Sequence, residues 1–120
     1  MNATYNHDYQ RIITTLPAIL RIGALERFFR PEGGMNDSVQ ALPIESGKLR
    51  LYCLRLSDLI VILGNGGVKN THTYEEDPKL YGYVLDLQRF EKILKENIAK
   101  GYVSIEEKEL SGIEDITFEI

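Results

Sequence analysis

The sequence predicts an α+β domain in two layers: N-terminal helices, a small antiparallel sheet, and a C-terminal helix packed on the sheet. Three observations carry this. Apolar residues recur at helical spacing over residues 8–30 and again over 78–98. Between them lie apolar runs of strand length, separated by Gly, Pro, Ser and Asp. Helices come first, then neighbouring strands, then one long helix, and such runs fold as helices layered on an antiparallel sheet.

The elements follow in order. Tyr9, Ile12, Ile13 and Leu16 have helical spacing, and Leu20, Ala24, Leu25, Phe28 and Phe29 resume it. Pro17 between them is expected to open a second helix, where its missing N–H costs nothing. Arg30-Pro31-Glu32-Gly33-Gly34 stops that helix, and residues 31–38 are expected to be the most mobile part of the front half. Val39 to Ile44 reads as a short strand that Pro43 ends or confines to an edge. Glu45 to Lys48 is a turn. Lys48 to Ser57 is a strand with imperfect alternation: Leu49, Leu51 and Cys53 share one face, Leu54 and Leu56 the other. Either a bulge lies near Cys53-Leu54 or both faces are covered. Ser57-Asp58 turns the chain into a second strand, Leu59 to Leu63. Asn65-Gly66 then either closes another hairpin, with Val68 to Tyr74 returning, or bulges one bent strand. Asp77-Pro78 starts a helix, with Asp as N-cap and Pro at the first helical position. Leu80, Val84, Leu87, Leu94 and Ile98 form its apolar stripe, and Gly101 ends it. Ile116, Phe118 and Ile120 alternate with Thr117 and Glu119 as a final strand.

With 120 residues, 43% hydrophobic and 27% charged, the chain suits one domain, residues 1–120, with its own core. One cysteine, Cys53, excludes an intrachain disulfide, and its strand setting reads as a buried thiol before a reactive one. The opening MNATYNHDYQ has no secretory pattern, and no apolar run approaches the roughly 20 residues of a membrane span, so a cytoplasmic protein without membrane contact is expected. Charge is uneven. Residues 1–74 carry eight Lys/Arg against six Asp/Glu, and residues 75–120 carry six against twelve. The front half suits a phosphodiester, whereas the tail would repel one.

The stretch Asp58 to Pro78 carries most of the chemistry. An apolar strand leads through Gly64-Asn65-Gly66-Gly67 to Lys69, His72 and Tyr74, just before a helix start. The glycines match neither a Walker A loop nor a Gly-x-Gly-x-x-Gly fingerprint. Leu42-Pro43-Ile44, the basic-apolar strand Lys48 to Arg55, and Ile60 to Thr71 with its Gly67-Val68-Lys69-Asn70-Thr71 core resemble the RelE/ParE/HigB superfamily of bacterial toxins. The likeness is to the HigB-like and phage Gp49-like branch, over about residues 20–98. The glycine insertion and the acidic extension 101–120 depart from the pattern. The resemblance implies a RelE-like fold and a toxin of a type II toxin–antitoxin system. Such a toxin is an mRNA endonuclease associated with the ribosome and neutralised by a cognate antitoxin, whose sign would be a helix-turn-helix protein in the neighbouring frame. It would work without a metal or cofactor, by attack of the RNA 2′-hydroxyl on the adjacent phosphate. Carried over by position, Arg50 matches the strand arginine and Lys69 the signature lysine, with His72 and Tyr74 at looser site positions. Arg55, Asn70 and Thr71 are the accompanying substrate-binding candidates.

Each of these residues also has an ordinary reading. Arg50 and Arg55 fall on opposite faces of a regular strand, so both reach one site only through a bulge; otherwise one or both are solvated or salt-bridged to the last helix. Lys69 is either a phosphate ligand or a solvated lysine beside a turn. His72 offers an imidazole that could take or give a proton, yet an exposed strand histidine with no task is common. Glu75-Glu76-Asp77 is accounted for largely by the preference of a helix start for negative charge. His7 and His72 lie far apart with no cysteine pair, so no zinc site is recognisable. A non-catalytic protein-binding module on the same fold is the alternative function.

Overall fold

The computed structural model describes residues 6–31, 38–44, 47–106 and 109–112. Two helices, α1 (Asn6–Ile22) and α2 (Pro78–Ala99), flank a four-stranded antiparallel sheet. Its strands are β1 (Arg30–Pro31), β2 (Val39–Leu42), β3 (Leu49–Arg55) and β4 (Val61–Val68), side by side in chain order. A separate hairpin, β5 (Ser104–Glu106) and β6 (Glu109–Ser111), follows α2. The architecture is α+β, as expected, but it has three layers instead of two.

The third layer follows from β3. Leu49 and Cys53 pack with Ile12, Ile19, Ala24 and Phe29 on the α1 side. Tyr52 and Leu54 pack with Leu80, Val84 and Leu87 on the α2 side. Successive strand residues point to opposite faces, so a strand covered on both sides is apolar at nearly every position. This explains the imperfect alternation of the Lys48–Ser57 run, and it is the second of the two expected explanations. The bulge is real too, but it lies on the neighbouring strand. Leu51 pairs with Gly66 and Cys53 with Leu63, so β4 spends an extra residue at Gly64-Asn65. The glycine run is therefore a bulge inside one bent strand, and no strand returns from Val68 to Tyr74.

At the N-terminus a single helix replaces the expected pair. Pro17 sits inside α1 and is exposed. An interior proline removes one hydrogen bond and costs about 3 kcal/mol. Burying Ile12 and Ile19 of one helix against one sheet face offsets that cost. The helix stops at Gly23, which holds a left-handed φ of 105° and donates to the Ile19 carbonyl at 2.9 Å. The residues expected to continue it do other work: Ala24 and Phe29 enter the core, Glu26–Phe28 form a 3₁₀ turn, and Arg30–Pro31 become the edge strand.

The second helix follows the sequence reading closely. The Asp77 carboxylate accepts from the Lys79 and Leu80 amides at 2.9 and 3.2 Å. At the other end Gly101 donates to Ile98 and Tyr102 to Asn97, a Schellman closure around the Gly101 φ of 81°. The β5–β6 hairpin was not foreseen. The mobile segment expected at 31–38 falls mostly, and the terminal strand at Ile116–Ile120 wholly, outside the described residues.

Candidate functional site

Helix α1 runs in the direction of β3, and hydrogen bonds at its two ends fix this. The Asp8 carboxylate near the start of α1 accepts from the Lys48 and Leu49 amides, while Ala24 beyond its end donates to the Asp58 carbonyl. The sheet thus has two distinct ends: one at Lys48, Leu49 and Val68, the other at Arg55, Asp58 and Val61.

The first end gathers most of the predicted residues. Arg50 lies opposite Gly67 on β4. The Lys69 amide donates to the Lys48 carbonyl at 2.6 Å, which sets these two lysines side by side just past the ladder. The chain then bends through Asn70 to Thr73, where the Thr71 hydroxyl donates to the Thr73 carbonyl at 2.5 Å, into a 3₁₀ turn at Tyr74–Glu76. Tyr74 is half-buried, its ring 6.2 Å from that of Tyr81 on α2. His72, Asn70, Glu75 and Glu76 are exposed on this bend. Lys69 is half-buried, and its ammonium forms no ion pair among the described residues.

Arg50 is a buried guanidinium, only 6% exposed, beneath the start of α2. Its Nη1 donates to the Gly47 carbonyl at 2.5 Å and to the Leu49 carbonyl at 3.1 Å. Arginine holds its charge in such a site because its proton affinity is so high. The charge therefore stands behind the surface, with one edge bound to main chain.

Arg55 is not part of this group. β3 alternates without interruption, so Arg55 faces α1 at the far end of the sheet. Its Nε donates to the Ala24 carbonyl at 2.6 Å, and its terminal nitrogens pair with Asp58 and Glu26. Neither ordinary reading holds as expected: Arg55 is ion-paired, but with Glu26 and Asp58 and not with the last helix, and it ties the end of α1 to the β3–β4 hairpin.

The glycines also have a structural task. A Cβ on Gly64 would stand 3.0 Å from Leu87, and one on Gly67 would stand 3.2 Å from Leu80. Helix α2 rests on bare backbone at these two points, one heptad apart along its own stripe. A Cβ on Gly66 would strike the Arg50 carbonyl. Close approach of a helix is a sufficient reason for the glycine run.

Two buried carboxylates escaped the sequence reading. Asp8 clamps the turn before β3, and its side chain fills the space where a Cβ on Gly47 would go. Glu91 is 3% exposed, accepts from the Ser38 amide at 2.9 Å, and lies 3.5 Å from the Lys95 ammonium. The signal was present in both cases. Asp8 precedes Ile12 and Ile19 on one helical stripe, and Glu91 falls between Leu87 and Leu94 on another. A carboxylate on a core stripe needs partners to be tolerated. Cys53 is fully buried, and burial pushes its thiol up to about 12, so it stays protonated and inert near neutrality.

A cleft of about 540 Å³ opens at the other end, between Ile19–Ala24 and Asp58–Val61. It is distant from Lys69, at the opposite end of β4. No described helix is long and apolar enough to cross a membrane. Comparison of the chain with protein-family models, with curated proteins and with solved structures found no match.

Proposed function

We propose that this chain is the toxin of a type II toxin–antitoxin pair on a RelE-like fold, and that it cleaves messenger RNA at the Lys48–Lys69 end of its sheet. One observation supports this above the others: Lys48 and Lys69 stand side by side just past the ends of β3 and β4, with Arg50 next along β3 and His72 and Tyr74 on the bend that follows. In this reading Lys69, with Lys48 beside it, binds the phosphate, and the buried Arg50 adds positive potential from behind. His72 moves a proton between the 2′-hydroxyl and the leaving oxygen, and Tyr74 offers its ring to a base. No metal or cofactor is required, because the cations stabilise the extra negative charge of the transition state. A cytoplasmic location, a ribosome-bound mRNA substrate and a cognate antitoxin belong to the same proposal.

The test is induction of the chain in a bacterial culture, with RNA cleavage followed in parallel in EDTA. Wild type should arrest growth and leave fragments with 2′,3′-cyclic phosphate ends. Lys69→Ala should lose both effects at least tenfold while keeping its circular dichroism spectrum. Arg50→Ala is a poorer probe, since removing a buried guanidinium also strands the Gly47 and Leu49 carbonyls. Growth unaffected by wild type would sink the proposal.

A second reading, a non-catalytic protein-binding module on this fold, is favoured by two observations. The Arg50 guanidinium is partly committed to main-chain carbonyls, and Glu75 and Glu76 stand exposed on the same bend as His72. Capture of a specific partner with translated mRNA left intact would decide for it.

A further inference from the structure

The outer edge of β4 has properties that follow from its register. Among the described residues no strand pairs with it. Val61 to Val68 contains no charged residue and no proline, the two commonest guards of an exposed edge. The guard that the described residues do show is its bulge, and the bulge's position decides what can pair there.

The outward-facing groups can be assigned from the ladder. In an antiparallel pair, hydrogen-bonded and non-bonded positions alternate. The Lys69 amide bonds to the Lys48 carbonyl, so Gly67 faces β3, and Val68 and Gly66 turn their backbone groups outward. At the other end the Leu56 amide bonds to the Ile60 carbonyl, so Ile62 faces β3, and Val61 and Leu63 turn outward. The free edge therefore offers Val61, Leu63, Gly66 and Val68, with the Gly64-Asn65 bulge between the pairs.

We infer that this edge is the contact between two copies of the chain, joined antiparallel across a two-fold axis at the Gly64-Asn65 bulge. The spacing is self-complementary. When Val61 of one copy meets Val68 of the other, Leu63 meets Gly66, so every outward backbone group faces an outward group. The bulge, which would break register with an ordinary strand, falls on the axis and meets its own copy. Faces agree as well: Val61 and Val68 both belong to the α1-side core, so the sheet continues with α1 on one face and α2 on the other. Leu63, 51% exposed in the single chain, would lie over a residue with no side chain. Charge agrees too. Asp58, exposed though its carboxylate also pairs with Arg55, precedes the strand and Lys69 follows it, so antiparallel pairing brings the Asp58 of each copy toward the Lys69 of the other. A contact in which the same patch serves both copies closes on itself as a dimer.

The experiment is sedimentation velocity of the full chain over a wide concentration range, combined with hydrogen exchange at single-residue resolution. Wild type should reach twice the monomer mass. The Val61, Leu63, Gly66 and Val68 amides should slow as concentration rises, while those of β3 stay unchanged. Leu63→Lys puts a positive charge on each side of the axis, and should remain a monomer at every concentration with an unaltered circular dichroism spectrum. If that variant fails to fold, the wild-type exchange data carry the test alone. Three results would overturn the inference: a monomer at all concentrations, a dimer whose four edge amides exchange independently of concentration, or an edge protected only by a strand from a different protein.

Discussion

Asp8 shows how much one side chain can hold. It is buried in α1, and its carboxylate satisfies two main-chain amides forty residues away, at the turn where β3 begins. That turn also presents the Gly47 carbonyl to Arg50. Removing the carboxylate would leave one buried donor, the Leu49 amide, and one part-buried donor, the Lys48 amide, unpaired, and a stranded buried donor costs about 1–3 kcal/mol. Asp8→Ala is therefore expected to lower unfolding free energy in urea by about 2–4 kcal/mol, on the same principle, with Asp8→Asn losing less because it keeps an acceptor. Lys69→Ala should change stability by under about 0.5 kcal/mol, since its ammonium makes no ion pair among the described residues. Equal losses for Asp8→Ala and Lys69→Ala would refute this division between a clamp and a surface cation. Arg55 belongs with Asp8: it is charged and shares β3 with Arg50, but it sits at the far end of that strand and joins one end of α1 to a hairpin.

Among the elements, α2 and β4 define each other. Leu80 and Leu87 on the helix sit on Gly67 and Gly64 of the strand, and the bulge between those glycines brings both under the same stripe. The glycine-rich stretch before Lys69 is first a saddle for a helix. Gly64→Ala should push Leu87 away and cost about 1–3 kcal/mol, the usual range for an overpacked core, read as a lower midpoint in urea with an unchanged slope. Gly82 of α2 has nothing within 4 Å of where its Cβ would stand, so Gly82→Ala should be neutral or stabilising by up to about 1 kcal/mol. If Gly64→Ala were as harmless as Gly82→Ala, close packing would not be the reason for the glycine at 64. The helix boundaries were legible because caps are local: Asp77, Pro78 and Gly101 act within a turn of where they stand. The N-terminal helix was misread because Pro17 is a local signal overruled by the shared burial of Ile12 and Ile19.

For the whole molecule, charge and layering decide what can approach. The excess of Lys/Arg lies in residues 1–74 and the excess of Asp/Glu in 75–120. The three-layer fold sets Lys48 and Lys69 together at one end of the sheet, but Glu75 and Glu76 are on the adjoining bend. If this end binds RNA, affinity should fall with salt. Lys69→Ala should reduce the slope of log affinity against log salt by about 0.7–0.9, the share of one phosphate contact. A titration with wild-type and variant slopes the same would exclude a Lys69–phosphate contact.

The local features were set by the sequence alone: the helix start at Asp77-Pro78, its stop at Gly101, the Ser57-Asp58 hairpin, the buried thiol of Cys53, and the α+β class. Each depends on dihedral preferences or hydrogen bonds within a few residues, or on a periodicity visible in one segment. Tertiary structure alone decided the rest. Whether the Leu-rich strand was bulged or covered on both faces depended on where α1 lay. Whether Arg50 and Arg55 shared a site depended on which strand took the extra residue, and β4 took it, leaving β3 regular and the arginines on opposite faces. Whether the glycines faced a ligand or a helix depended on Leu80 and Leu87, more than ten residues further along the chain. These outcomes are set by contacts between segments distant in sequence, because the free energy of a side chain in a core comes from what covers it.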